Sequence, residues 1–256
     1  MVEAYARGAG PAGPAHEPKK EEGGEYTESM LLRSAACGVL QNNCFILADK
    51  EGSECVIIDP GMDAVAAVRS LVAQHDLTPV AVLATHGHVD HIADAAPVAD
   101  GYSIPVWIRS EDRRLLADAA AGMGPEDLDW LAMYVPEPLK DPARVELLDG
   151  VDRLDLANLA ITVIHAPGHT PGSVLFRVDD PDTATTVVFT GDVLFAGSVG
   201  RTDLPGGDQT TMMATLRGPV LGLPDAARVL PGHGRSSTMS AERATNPYLQ
   251  PFFLDR

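Results

Sequence analysis

Within the stretch ATHGHVDHIAD, residues 84 to 94, three histidines and an aspartate fall inside six positions: His86, His88, Asp90 and His91, in a chain with only eight histidines. Imidazole and carboxylate groups offer lone pairs to divalent cations. With no thiolate in the stretch, the chemistry it suggests is the binding of zinc, iron or manganese. A strand puts residues i and i+2 on one face and a helix puts i and i+4 there, so gathering all four calls for an irregular turn, with Gly87 relaxing its backbone. Six residues of this kind present two pairs, His86 with His88 and Asp90 with His91, so two metals are conceivable. Each pair needs more donors, and later segments supply candidates: His169 in APGHTPGS, Asp192 in FTGDVLF and His233 in LPGHG. His165 lies closer to the strand phrase ITVIH and reads as a strand-end or supporting residue.

The elements that must position these residues form an α/β pattern. MLLRSAACG, NCFILAD and ECVIIDPG read as early strands, the last ending in the turn Asp59-Pro60-Gly61. In DAVAAVRSLVAQHD the apolar residues Val65, Val68, Leu71 and Val72 recur at helical spacing, with Asp63 as the expected N-cap and His75 as a structural or solvated residue in the last turn. A buried strand, PVAVLA, then runs into the histidine cluster. HIADAAPVAD is expected to begin a short helix that Pro97 ends or kinks. Residues 109–149 combine two helical patterns with a proline-rich connection and read as a charged helical insert or lid. LAITVIH, SVLFRVDD, TTVVFTGD and ARVLPGHG each contain a strand, and no internal repeat appears. The segments PVAVLA, ITVIH, TTVVFT and ARVL are each followed by a polar, glycine-containing loop, and those loops carry all seven candidates. Strand ends sharing one edge would bring them to one place.

Bulk properties exclude several classes. Lys plus Arg number 19 against 36 Asp plus Glu, a net charge of -17 that disfavours nucleic-acid partners. No run approaches the roughly 18 to 20 apolar residues of a membrane span, so no membrane partner is expected. Residues 1–28, rich in Gly, Pro, Ala and Glu and without a signal-peptide pattern, are expected to form a disordered extension, with His16 inert, ahead of one domain over 29–256. Cys37, Cys44 and Cys55, an odd number without a CxxC pair, are expected to be reduced thiols in strands, in keeping with a cytoplasmic setting. Oligomeric state is not legible.

The order H-x-H-x-D-H, then His, G-D and G-H, resembles the metallo-β-lactamase superfamily of metallohydrolases over residues 30 to about 247, and VIIDPG matches the family's early turn. The resemblance implies a four-layer αββα sandwich, two mixed β-sheets packed face to face with helices outside and metals at one edge. It also implies two divalent metal ions, zinc first with iron or manganese as alternatives. His86, His88 and His169 would hold the first, Asp90, His91 and His233 the second, and Asp192 would bridge them. A bridging hydroxide would be the nucleophile, with Asp90 orienting it.

TGDVLFAGSVGRTDLPGGD is similar to the glyoxalase II and persulfide dioxygenase branch, which acts on thiol-derived substrates. In that branch a basic residue nine positions after the bridging Asp contacts glutathione, which marks Arg201 here; an ion pair with Asp203 is its competing role. The implied reaction is hydrolysis of an S-acyl thiol such as S-lactoyl-glutathione. The alternative is a mononuclear iron persulfide dioxygenase using His86, His169 and Asp192. Two departures bear on the thiol: Asp203 and Arg235 stand where such enzymes carry tyrosines, and only 23 residues follow His233, too few for the helical domain of longer glyoxalase II enzymes. The insert 109–149 is expected to supply substitute contacts.

Overall fold

The computed structural model describes residues 30–135 and 138–254; the extension expected over 1–28 lies outside them. The first sheet runs β1 (Leu31–Cys37), β2 (Asn42–Ala48), β3 (Glu54–Ile58), β4 (Thr78–Leu83), β5 (Val106–Ile108) and β6 (Val145–Leu147), in that spatial order. Its first three strands are antiparallel, and β3 to β6 pair in parallel. The second sheet contains β7 (Arg153–Leu156), β8 (Leu159–His165), β9 (Val174–Asp179), β10 (Thr186–Gly191), β13 (Arg228–Pro231) and β14 (Ser237–Thr238), ordered 14-13-10-9-8-7. A ribbon, β11 (Leu194–Phe195) with β12 (Ser198–Val199), follows β10.

Alternation along the strands builds the layers. Phe45 and Leu47 of β2, and Val56 and Ile58 of β3, face Ile161, Phe176 and Phe189 in the core between the sheets. Their neighbours Ile46, Cys55 and Ile57 turn to the opposite face. There they meet α1 (Ala64–Gln74) through Val68 and Val72, and α3 (Ala95–Tyr102) through Val98 and Ala99. The outer face of the second sheet packs Leu175, Val188 and Val229 on α5 (Gln209–Thr215), α6 (Met239–Thr245) and α7 (Pro251–Leu254). Three apolar cores separated by two mixed sheets make a four-layer αββα sandwich, with strands such as β2, β3 and β10 apolar on both faces.

Several local expectations change. Asp63 is left-handed (φ 61°) and makes no capping bond; Asp94 Oδ2 instead accepts from Val65 N at 3.0 Å at the start of α1. Pro97 neither ends nor kinks a helix but sits in the first turn of α3, where its missing N–H has no helical partner to lose. His75 is buried, paired with Glu51 and accepting from Arg33, a structural role. Among the described residues of 109–149 the two expected helices are replaced: short 3-10 turns at Arg113–Leu116, Ala119–Gly122 and Pro125–Asp127 lead into one helix, α4 (Leu128–Tyr134), and the segment returns to the first sheet as β6. All three cysteines are free and buried.

Candidate metal centre

Strands β8, β10 and β13 run in one direction, since β8 and β10 each pair antiparallel with β9 and β10 pairs parallel with β13. Their carboxyl ends therefore open on one edge, where β4 of the facing sheet also ends. Backbone bonds lock the sheets together there: Val174 N donates to Thr85 O (2.8 Å) and Asn43 N to Gly232 O (2.7 Å).

The motif HGHVDH is half loop and half helix rather than one irregular turn. His88 is extended (φ -68°, ψ 144°), and Asp90 and His91 fall in α2 (Val89–Ile92). Gly87 is required for close approach rather than for an unusual backbone angle. A Cβ there would lie 2.7 Å from Leu115 Cδ1 and 3.0 Å from Asp112 Cβ.

The seven candidates converge. His86, His88 and His169 have one donor atom each within 4.8 Å of one another, as do His86, His91 and Asp192, and Asp90, His91 and His233. Asp192 lies between the groups: its carboxylate is 3.2 Å from His91 Nε2, and 3.7 Å from both His169 Nε2 and His233 Nε2. Asp90 Oδ2 is 3.0 Å from His233 Nε2. Arg201 is near the cluster through its backbone, but its guanidinium is bidentate on Asp203, Nε to Oδ1 at 2.6 Å and NH2 to Oδ2 at 2.8 Å. His165 remains at the strand end, exposed and bonded to Pro171 O.

Hydrogen bonds from the outer ring nitrogens orient the imidazoles. His169 Nδ1 donates to Arg201 O (2.7 Å), His233 Nδ1 to Leu40 O (3.0 Å) and His91 Nδ1 to Asp59 Oδ2 (2.9 Å). Each such bond leaves the Nε2 lone pair for the cluster, a tautomer assigned from the hydrogen-bond network. Thr85 Oγ1 donates to Asp59 Oδ2 (2.6 Å), which leaves the Thr85 hydroxyl oxygen to accept from His86 Nδ1 (3.1 Å). Asp59 and Asp112 are the functional residues that sequence reasoning missed. Asp59 was read only as part of a turn signal. Asp112 sat in a helical pattern and carried no signal, yet it is fully buried and ties Gly87, Thr170 and Gly172 together.

Burial, reinforced by neighbouring imidazoles, keeps His86 well below its usual pKa and His88 at about 3. Burial likewise lowers His169, against the pull of Asp192. These three are neutral at physiological pH, the form that donates a lone pair. Burial works against ionisation of Asp90, but His91 and His233, whose cationic forms Asp192 and Asp90 favour in the metal-free chain, hold its carboxyl at about 2; a metal would displace their Nε2 protons. Burial opposes the charged form of Asp192 too, and His91 and His233 outweigh it, keeping that group well below the carboxylate range. The side chains fit a metal: Nε2 of His86 and His88 are buried with no hydrogen-bond partner, a cost that coordination would relieve.

An αββα sandwich with a His/Asp cluster on its strand-end edge is a metallohydrolase scaffold. The family described as the metallo-beta-lactamase superfamily matches residues 37–233, and the chain belongs to it. Among relatives, an uncharacterized protein of Mycobacterium leprae is 44% identical over 223 residues, 86% of this chain and 99% of the relative. The probable metallo-hydrolase YqgX of Bacillus subtilis is 35% identical over 225 residues, 88% of this chain and all of the relative. The hydroxyacylglutathione hydrolase GloC of Haemophilus influenzae is 32% identical over 214 residues, covering 82% and 93%. Of solved structures, the BLEG-1 B3 metallo-beta-lactamase shares 35% identity at TM-score 0.74 over 86% of this chain and all of that one. A protein crystallised in a di-iron-bound form shares 36% at TM-score 0.68, covering 85% and 100%. No helix among the described residues is long and apolar enough to cross a membrane.

Proposed function

We propose that this metallohydrolase cleaves S-acyl thiol thioesters in the manner of glyoxalase II. The carrying observation is Asp192, whose carboxylate stands between two histidine groups that both have all their side chains in place. His86, His88 and His169 would hold one divalent ion, zinc or iron, and Asp90, His91 and His233 a second, with Asp192 shared. Bound there, such ions supply Lewis-acid polarisation of the carbonyl and a water-derived nucleophile at neutral pH.

The protein's own groups do the rest. Asp90, ionised and lining the cleft over the cluster, would orient the attacking water through its carboxylate. His169, fixed by the Arg201 carbonyl, and His91, fixed by Asp59, keep the donor atoms in place during turnover. The departing thiolate is stable near neutral pH, so no strong general acid is needed. The GloC relative's name supports a thioester.

Release of free thiol from a small panel of thioesters tests the reading. His88→Ala and Asp192→Ala should each abolish hydrolysis. A protein that binds one iron, consumes oxygen with a persulfide, and tolerates His88→Ala better than Asp192→Ala would instead be a persulfide dioxygenase.

A further inference from the structure

An open cleft lies directly over His88 and Asp90. Away from those two residues its wall is largely hydrocarbon: Leu40, Val89, Met123, Trp130 and Leu204. Met123 and Trp130 come from the segment between β5 and β6, Trp130 from α4, so that segment walls the cleft instead of forming a separate unit.

Two other charged side chains reach the wall, and neither suits an anionic substituent. Asp127 is a buried carboxylate. Arg201 has its fork closed on Asp203, so its charge is locally balanced. Glutathione brings two carboxylates and one ammonium at neutral pH, and seating its carboxylates against this wall would strip their hydration without a matching cation. A hydrocarbon group loses nothing there and gains by leaving water.

We infer that the cleft selects an uncharged, apolar substituent on the thioester, with Trp130 as its main specificity determinant, rather than a glutathione moiety. This rests on the thioester reading above. The apolar chain has two sources, the acyl group or the thiol, and the geometry of the cleft suits either.

The test measures kcat/KM of the metal-loaded protein on lactoyl and hexanoyl thioesters of glutathione and of uncharged N-acetylcysteamine, together with the lactoyl thioester of hexanethiol. Each methylene seated in the cleft should raise kcat/KM about fourfold, so a hexyl chain on either side should gain at least about tenfold over its lactoyl-glutathione counterpart. An advantage that follows the acyl chain or one that follows the thiol chain both support the inference and assign the end that occupies the cleft. Trp130→Ala should cut the advantage of the hexanoyl or hexanethiol thioesters over S-lactoyl-glutathione about fivefold or more, through KM. Asp203→Asn, which removes the carboxylate paired with Arg201, should improve the glutathione thioesters relative to the neutral ones. A preference for S-lactoyl-glutathione, or an advantage of the six-carbon substrates unchanged in Trp130→Ala, would overturn the inference and leave thioester hydrolysis standing. If no thioester is cleaved, the functional reading fails, and tryptophan fluorescence decides the cleft separately. Saturable quenching by S-hexyl-N-acetylcysteamine that is lost in Trp130→Ala supports the apolar subsite, and equal quenching by S-methylglutathione overturns it.

Discussion

Asp112 joins the loop of His86 and His88 to the loop of His169, and its replacement should loosen both. Its carboxylate is fully buried and accepts from Gly87 N at 2.9 Å, Gly172 N at 3.0 Å and Thr170 Oγ1 at 2.6 Å. In Asp112→Ala the Thr170 hydroxyl keeps Ser173 Oγ at 2.8 Å, but two backbone N–H groups lose their acceptor. At about 1–3 kcal/mol for each orphaned donor, the loss is about 2–6 kcal/mol. Asp112→Asn keeps one carbonyl oxygen and turns an NH2 toward one N–H, so its cost is about 1–3 kcal/mol. Urea unfolding followed by circular dichroism measures both, with metal content read on the same samples.

The pH dependence has a defined sign. Burial raises the Asp112 carboxyl, against the bonds from Thr170, Gly87 and Gly172. The folded chain therefore holds this proton more tightly than the unfolded chain does. Its contribution to stability is fully present below the ordinary carboxylate pKa and declines as pH rises through the raised value. Asparagine does not titrate, so the penalty of Asp112→Asn should be larger near about pH 4 than near pH 7. An Asp112→Ala protein within about 0.5 kcal/mol of the parent, with unchanged metal content, would refute the reasoning, as would a penalty that grows with pH.

Other consequences concern the cluster and the core. In Gly232→Ala the new Cβ would stand 2.4 Å from both Asp192 Oδ1 and His91 Cε1, so metal content and thioester turnover should both fall by about tenfold or more while the fold persists by circular dichroism. Asp59→Asn keeps one acceptor oxygen and turns an NH2 either toward Thr85 N–H or toward His91 and Thr85 Oγ1, and should weaken metal binding by about 10- to 100-fold in competition with a chromophoric chelator; an unchanged affinity would argue against an orienting role. Chelation should lower the melting temperature and reloading restore it, because ligand binding to the folded state alone adds stability. Cys55 is buried in the first core, its thiol pushed up to about 12, and should resist alkylation until the protein unfolds, as mass spectrometry of trapped thiols would show.

The alternation of apolar residues made the strands legible, and the loops after PVAVLA, ITVIH, TTVVFT and ARVL pointed to a shared edge because each broke a β-rich run with glycine and a donor side chain. Tertiary contacts decided what remained. Asp94, not the adjacent Asp63, meets the first N–H groups of α1, a pairing across 29 positions that no local cap signal reveals. Asp59 looked like a turn former until the fold set His91 against it. The segment 109–149 misled because its helical periodicity belongs mainly to short turns and one seven-residue helix, of whose apolar residues Trp130 lines the cleft while Leu128, Met133 and Tyr134 are exposed. Arg201 was legible as a position, but its closure on Asp203 depends on side-chain geometry.

The most direct test of the central claim is one preparation assayed twice: metal counted by elemental analysis, then turnover of a thioester set against oxygen uptake with a persulfide. Two metal ions per chain with thiol release and no oxygen consumption is the predicted result. A single iron per chain with persulfide-dependent oxygen uptake and no thioester hydrolysis would contradict it.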